Sequence, residues 1–229
     1  MLEAVDNMDR YSRLLSLKDF SKEKLDLLKS KKILIIGVGG VGQHVATYLI
    51  TNGIIDMTIV DFDKVEMSNL NRQILLTEDD IDKAKIDVVK AALIKKNSEA
   101  KIKTINLKID ENNIKDIKLD FDVIIDAVDN WPTRLVIAKH FKNKNIPILH
   151  IGVDGYKGQY CLFKNKSLLD IVNDDIVTSP RDGVMGPMVG TISSLASTYL
   201  IKYLVNDIDD VDVLYYFDFE SSHFGKVKI

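Results

Sequence analysis

An apolar run, Ile33-Leu34-Ile35-Ile36, leads directly into Gly37-Val38-Gly39-Gly40-Val41-Gly42, and few chain geometries accept that juncture. Four consecutive aliphatic residues read as a strand buried on both faces. Gly37, Gly39 and Gly42 fit the fingerprint in which such a strand turns sharply into a helix. That helix is predicted from about Val41 to Thr51, stopped by Asn52-Gly53. Backbone bare of side chains lets a phosphate come close, while the helix N-terminus offers free N–H groups and partial positive charge. A tight turn that binds nothing is the bland alternative.

The rest of the chain continues the alternation. Strands are predicted at Met57–Asp61, Phe121–Asp126, Pro147–Val153 and Gln159–Phe163, and Ile105, Leu107 and Ile109 alternate as a half-buried strand. A long helix is expected over roughly 82–97, and Trp131-Pro132 opens another, since proline suits the first helical turn. Residues 1–30 read as two short helices, Lys164–Gly183 as a mobile crossover loop, and 211–229 as a hairpin turning near Ser221-Ser222. The pattern implies an α/β fold: a Rossmann-like, mostly parallel doubly wound sheet, with additional antiparallel strands on the C-terminal side. A ligand belongs beyond the carboxyl ends of the strands.

With 229 residues the chain is most simply one domain, 1–229. A net charge of −3 gives no bulk attraction to nucleic acid or to an anionic membrane. Met188–Ile201 is uncharged, but it has only about half to two-thirds of the length a bilayer requires and reads as a buried helix. The acidic start, Met1-Leu-Glu-Ala-Val-Asp6, lacks the apolar core of a secretion signal, so a cytoplasmic protein is expected.

Asp61 falls at a strand end where a carboxylate accepts hydrogen bonds from ribose hydroxyls. Asp63 and Glu66 follow as weaker candidates. To this point an NAD-dependent oxidoreductase remains a fair competitor. The next segment, Ser68-Asn69-Leu70-Asn71-Arg72-Gln73, crowds amides and a guanidinium against the ribose acid. Arginine offers paired planar donors to phosphate oxygens, and Lys85 can add a second point charge. Asp129, at the end of a parallel strand, suits Mg²⁺, which takes a carboxylate plus phosphate oxygens. Singly, Lys85 reads as a solvated helix lysine and Asp129 as a helix cap. With the glycine loop they describe a triphosphate site.

The chain resembles the ThiF/MoeB/HesA family, bacterial relatives of ubiquitin-activating enzymes. The likeness runs through Arg10-Tyr-Ser-Arg13, the glycine loop, Asp61–Gln73, Lys83-Ala-Lys85, Asp126–Asn130 and Gly183-Val-Met-Gly186-Pro187-Met-Val-Gly190. It implies ATP-dependent adenylation of the C-terminal carboxylate of a small ubiquitin-like sulfur carrier or a related peptide. Gly37, Gly39, Gly40 and Gly42 would cradle the nucleotide and Asp61 would take its ribose, with Asp63 beside it. Asn69, Arg72, Gln73 and Lys85 would handle phosphates, and Asp129 would hold Mg²⁺. The resemblance also implies a homodimer in which Arg13 reaches into the partner's site.

The chain departs from the family in one respect. It lacks the two Cys-x-x-Cys pairs that hold structural zinc, so no such zinc is expected. Thr178–Gly183, where a second pair or a transferable cysteine would stand, reads Thr-Ser-Pro-Arg-Asp-Gly, which argues against a covalent thioester step. The lone Cys161, inside a predicted strand, reads as a buried packing residue, and His44 and His150 likewise as packing. The missing cysteines keep a non-catalytic subunit or scaffold of the same fold as an alternative.

Overall fold

The computed structural model describes residues 10–172 and 183–229. Strand β1 (Lys32–Ile36) has Ile33 and Ile35 on one face of the sheet and Leu34 and Ile36 on the other, all buried, as a central strand requires. It pairs in parallel with β2 (Asp56–Asp61) and β4 (Val123–Asp126). Strand β3 (Lys101–Asn106) extends the parallel sheet beyond β2, and β5 (Ile148–Asp154) extends it beyond β4. Strands β6 (Lys157–Phe163), β7 (Val213–Asp218) and β8 (His223–Lys228) add on as antiparallel neighbours. The eight-stranded order is β3-β2-β1-β4-β5-β6-β7-β8. Strand order reverses between β1 and β4, so a crevice opens at their carboxyl ends. The fold class read from sequence is the observed one.

Helices α1 (Ser12–Leu15) and α2 (Lys22–Ser30) precede the sheet, α3 (Gly40–Thr51) and α4 (Lys85–Lys96) follow β1 and β2, and α5 (Trp131–Phe141) follows β4. The uncharged stretch after Gly186-Pro187 becomes α6 (Gly186–Leu204), which packs along α3 over one face of the sheet. Ile192, Ala196 and Leu200 of α6 join Val45 and Leu49 of α3 in the larger core. Phe141 and Ile137 of α5 close a second core on the opposite face. Among the described residues, no helix is long and apolar enough to cross a membrane.

Three expectations need correction. The half-buried strand is Lys101–Asn106, with Ile102 as its buried residue, so Leu107 and Ile109 fall past its end. The helix expected from 82 starts at Lys85, because Asp82 adopts a positive φ of 67° and the Lys85 amide is taken by the Asp63 carbonyl. The segment from Lys164 does not begin as loose chain. Asp212 accepts hydrogen bonds from the amides of Lys164, Asn165 and Lys166, and Ser167 caps a 3-10 turn, Leu168–Asp170. The remainder of that predicted loop, residues 173–182, lies outside the described residues, as does the acidic start.

Candidate active site

A cavity of about 1410 Å³ opens at the carboxyl ends of β1, β2, β4 and β5 and extends over β6 and the β7–β8 hairpin. Its first wall is the glycine loop. Gly37 has φ +91°, and a Cβ there would meet the Ala127 carbonyl oxygen at 2.8 Å. A Cβ on Gly42 would fall 2.0 Å from the Gly37 carbonyl oxygen, so α3 can press onto the turn only with glycine at that position. Gly37, Gly39 and Gly40 line the cavity; Gly42 does not, and its part is to close the turn.

Asp61 holds this loop to the end of β2. Its Oδ2 accepts from the Val38 amide at 2.8 Å and its Oδ1 from the Asp63 amide at 2.9 Å. Burial pushes the Asp61 carboxyl above the usual carboxylate range, against the pull of Lys85 and the two amides. Lys85, almost wholly buried, places its Nζ 2.9 Å from Asp63 Oδ2. A cation is thereby held on the cavity side of α4's first turn, with its paired carboxylate half in solvent.

The segment after β2 is stiffened from within. Asn69 Oδ1 accepts from the Glu66 amide at 3.2 Å and so closes a 3-10 turn, Met67–Asn69. Gln73 is gripped by a residue that sequence reasoning missed. Gln43, fully buried, donates to the Val38 carbonyl at 2.9 Å and to Gln73 Oε1 at 3.0 Å, while its own oxygen accepts from the Leu75 amide at 3.0 Å. Arg72 lies at the rim, donating through Nη1 to the Ser68 carbonyl and to Asn71 Oδ1, both at 2.8 Å.

The opposite wall is the turn after β4. Asn130 caps α5 by accepting from the Thr133 amide at 2.9 Å, and exposed Asp129 precedes it on the cavity wall. Beneath the turn, Asp126, Arg134 and His150 meet: Arg134 Nη1 is 2.9 Å from Asp126 Oδ2 and 2.8 Å from His150 Nδ1, which is itself 2.9 Å from Asp126 Oδ2. Burial works against the Asp126 charge, but Arg134 and His150 outweigh it and hold the carboxyl below its usual range. Burial, and then the Arg134 charge, push the His150 pKa down, so its ring is neutral at pH 7. His150 is therefore more than the packing residue expected from sequence. The sequence held only a hint of it, a histidine interrupting the apolar run Ile148-Leu149-His150-Ile151; its pairing in register with Asp126 belongs to the fold.

Asp61, Asp63, Asn69, Arg72, Gln73, Lys85 and Asp129 all line the one cavity. Arg13 does not; it is exposed on α1. Among the described residues no group of three or more His, Cys, Asp or Glu could hold a metal. Asp129 as a single carboxylate still fits magnesium, which is commonly bound by one or two carboxylates together with substrate phosphates. Cys161 is fully buried, with its thiol pushed up to about 12 by burial, so it is no nucleophile.

The signature of the ThiF family matches residues 11–229. The chain is 28% identical over 216 residues to the SAMP-activating enzyme E1 of Haloferax volcanii, covering 90% of this chain and 78% of that protein. It is 31% identical over 227 residues to the sulfur carrier protein ThiS adenylyltransferase of Escherichia coli, covering 96% and 90%. Its fold superposes on the crystal structure of E. coli MccB with a TM-score of 0.87 at 24% identity, covering 98% of this chain and 70% of that one.

Proposed function

Because this chain belongs to the ThiF family, we propose that it is an ATP-dependent adenylyltransferase that activates the C-terminal carboxylate of a small ubiquitin-like sulfur carrier or a related peptide. The relatives named as SAMP-activating enzyme and ThiS adenylyltransferase support the reaction and its substrate class. The observation that carries the reading is the gathering of a strand-end carboxylate, Arg72, Lys85 and Asp129 around one cavity that begins at a glycine loop.

In this reading the carrier's carboxylate attacks the α-phosphorus of ATP. The new bond is the acyl–phosphate linkage, the bond to the bridging oxygen breaks, and pyrophosphate leaves. The attacking group is already ionised at pH 7, so no general base is required. Rate comes from in-line positioning and from neutralising charge on the phosphates. Asp61 receives the ribose hydroxyls on lone pairs left beside its two amide bonds, and the loop amides meet the phosphates. Lys85 supplies a fixed cation. Arg72 leaves Ser68 and Asn71 to pair with phosphate, with Asn69 and Gln73 at its flanks. Magnesium, when bound, supplies further neutralisation, with Asp129 as its protein ligand. The far half of the cavity, floored by Gly152, Gly158 and Gln159 and edged by the β7–β8 hairpin, accepts the extended tail of the carrier. We further assign the enzyme to the cytoplasm, as a homodimer that receives Arg13 from the partner subunit.

The test is pyrophosphate–ATP exchange with magnesium and candidate carriers ending in Gly-Gly. Exchange with a carrier is expected, and Asp129→Ala or Arg72→Ala is expected to abolish it while leaving a folded protein. Ordinary exchange in both variants would refute these roles.

A further inference from the structure

Asp129 is a useful magnesium ligand only if its turn points one way, and that direction depends on what holds the backbone of the turn. The turn from Asp126 to Asn130 is irregular chain between β4 and α5. Its amide at Val128 is drawn toward Asp126 Oδ1, at 3.4 Å. Its carbonyl at Val128 accepts from Arg134 Nη2, and the same Nη2 donates to the Ile151 carbonyl on β5 at 2.9 Å. Nη1 of Arg134 meanwhile meets Asp126 and His150. One guanidinium thus ties the residue before Asp129 to the backbone of a neighbouring strand and to a buried carboxylate.

We propose that Arg134 is the positioning residue for the Asp129 turn, setting the geometry in which the site accepts a magnesium-bound phosphate. The inference rests on the reading of the site given above. The physical reason for arginine is its fork. A planar guanidinium can serve two carbonyls with one nitrogen and a carboxylate with the other, whereas an ammonium is a compact point charge with no such fixed spread. The Trp131 ring lies beside it, its centroid 6.0 Å from the guanidinium carbon. His150 fills the corner between Arg134 and Asp126, and its Nε2 lies 3.4 Å from Gln159 Nε2. Any shift of Arg134 would therefore be felt on both walls of the cavity.

Arg134→Lys is the informative substitution, because it keeps a cation beside buried Asp126 while removing the fork. Binding of the non-hydrolysable analogue AMPCPP is measured by calorimetry with and without Mg²⁺, beside the wild type and Asp129→Ala. Affinity without Mg²⁺ is expected to stay within about twofold of wild type, while the gain on adding Mg²⁺ shrinks at least fivefold, as in Asp129→Ala. A purely structural role would weaken both conditions alike. If Arg134→Lys keeps the full Mg²⁺ gain, the inference is overturned and the adenylation reading stands. If the wild type shows no Mg²⁺ gain at all, the reading of the site fails and the inference with it. Should Arg134→Lys lose its cooperative unfolding transition, the doubly neutral variant Asp126→Asn/Arg134→Met takes its place and must show the same selective loss of the Mg²⁺ gain.

Discussion

Asp61 accepts two backbone amides, so its carboxylate sets the shape of the glycine loop, whatever part it plays in the proposed ribose contact. Asn at this position would turn an N–H₂ group toward one of those amides. Asp61→Asn is accordingly expected to weaken ATP binding at least about tenfold by calorimetry, a loss of about 1.4 kcal/mol. Asp126 gives a prediction of different character. Its carboxyl is held below the usual range in the folded protein, so its ionisation stabilises the fold above the ordinary value of about 3.9. That contribution is lost as pH falls through the lower folded-state value. Urea unfolding between pH 5 and about 2.5 should show a steeper loss of stability in wild type than in Asp126→Asn; equal slopes would remove this assignment. The place of Asp61 on the cavity wall was legible in the sequence because a strand end is a local feature. Asp126, Arg134, His150 and Gln43 were not legible, since their partners come from other elements: Gln43 meets Gln73, and His150 reaches back to Asp126. Local pattern carries no information about such meetings beyond the hint of polar residues inside apolar runs.

Elements were far more readable than contacts, because strand and helix periodicities are local and buried parallel strands are nearly pure Val, Ile and Leu. The glycine-loop helix, α5 with its proline, the uncharged helix after Pro187 and the terminal hairpin all lie where pattern put them. The edge strand β3 was misplaced because alternation continues past its end in Leu107 and Ile109, which pack on as loop residues. The capped segment after β6 was misread because its order comes from Asp212, 46 to 48 residues away in sequence. Element packing also makes a prediction at a residue outside the cavity. The start of α6 presses on the Asn71–Arg72 backbone, where a Cβ on Gly186 would sit 2.5 Å from the Asn71 carbonyl oxygen. Gly186→Ala should cost about 1–3 kcal/mol of stability and push the Arg72 segment off the glycine loop. Its expected signature is a several-fold loss of ATP affinity from a residue that touches no ligand. Unchanged affinity in a variant with lowered Tm would mean the two elements yield independently.

At the scale of the whole molecule, the position of Arg13 decides how the site can be completed. The residues leading into α1 are fastened to the far end of α4, and through Asn97 to the far end of α3: Tyr11 OH meets Asn97 Nδ2 at 3.1 Å, Asn97 Nδ2 donates to the Ile50 carbonyl at 3.0 Å, and Arg10 donates to the Lys96 carbonyl at 2.6 Å. The glycine loop is at the opposite end of α3, twelve residues or about 18 Å away along the helix. An arginine fixed there does not reach its own cavity, so a role for it in adenylation requires a second copy of the chain. The expected particle is a dimer of the 25.9 kDa chain by light scattering. Complementation tests the arrangement more sharply than mass does. Arg13→Ala and Asp129→Ala should each be inactive in exchange alone. Unfolded and refolded together in equal amounts, they should form mixed dimers in which one of two sites holds both an intact Asp129 and the partner's intact arginine. With random pairing about a quarter of wild-type activity should return. If Arg13 instead acted within its own chain, every site in the mixture would lack one of the two residues and the mixture would stay silent.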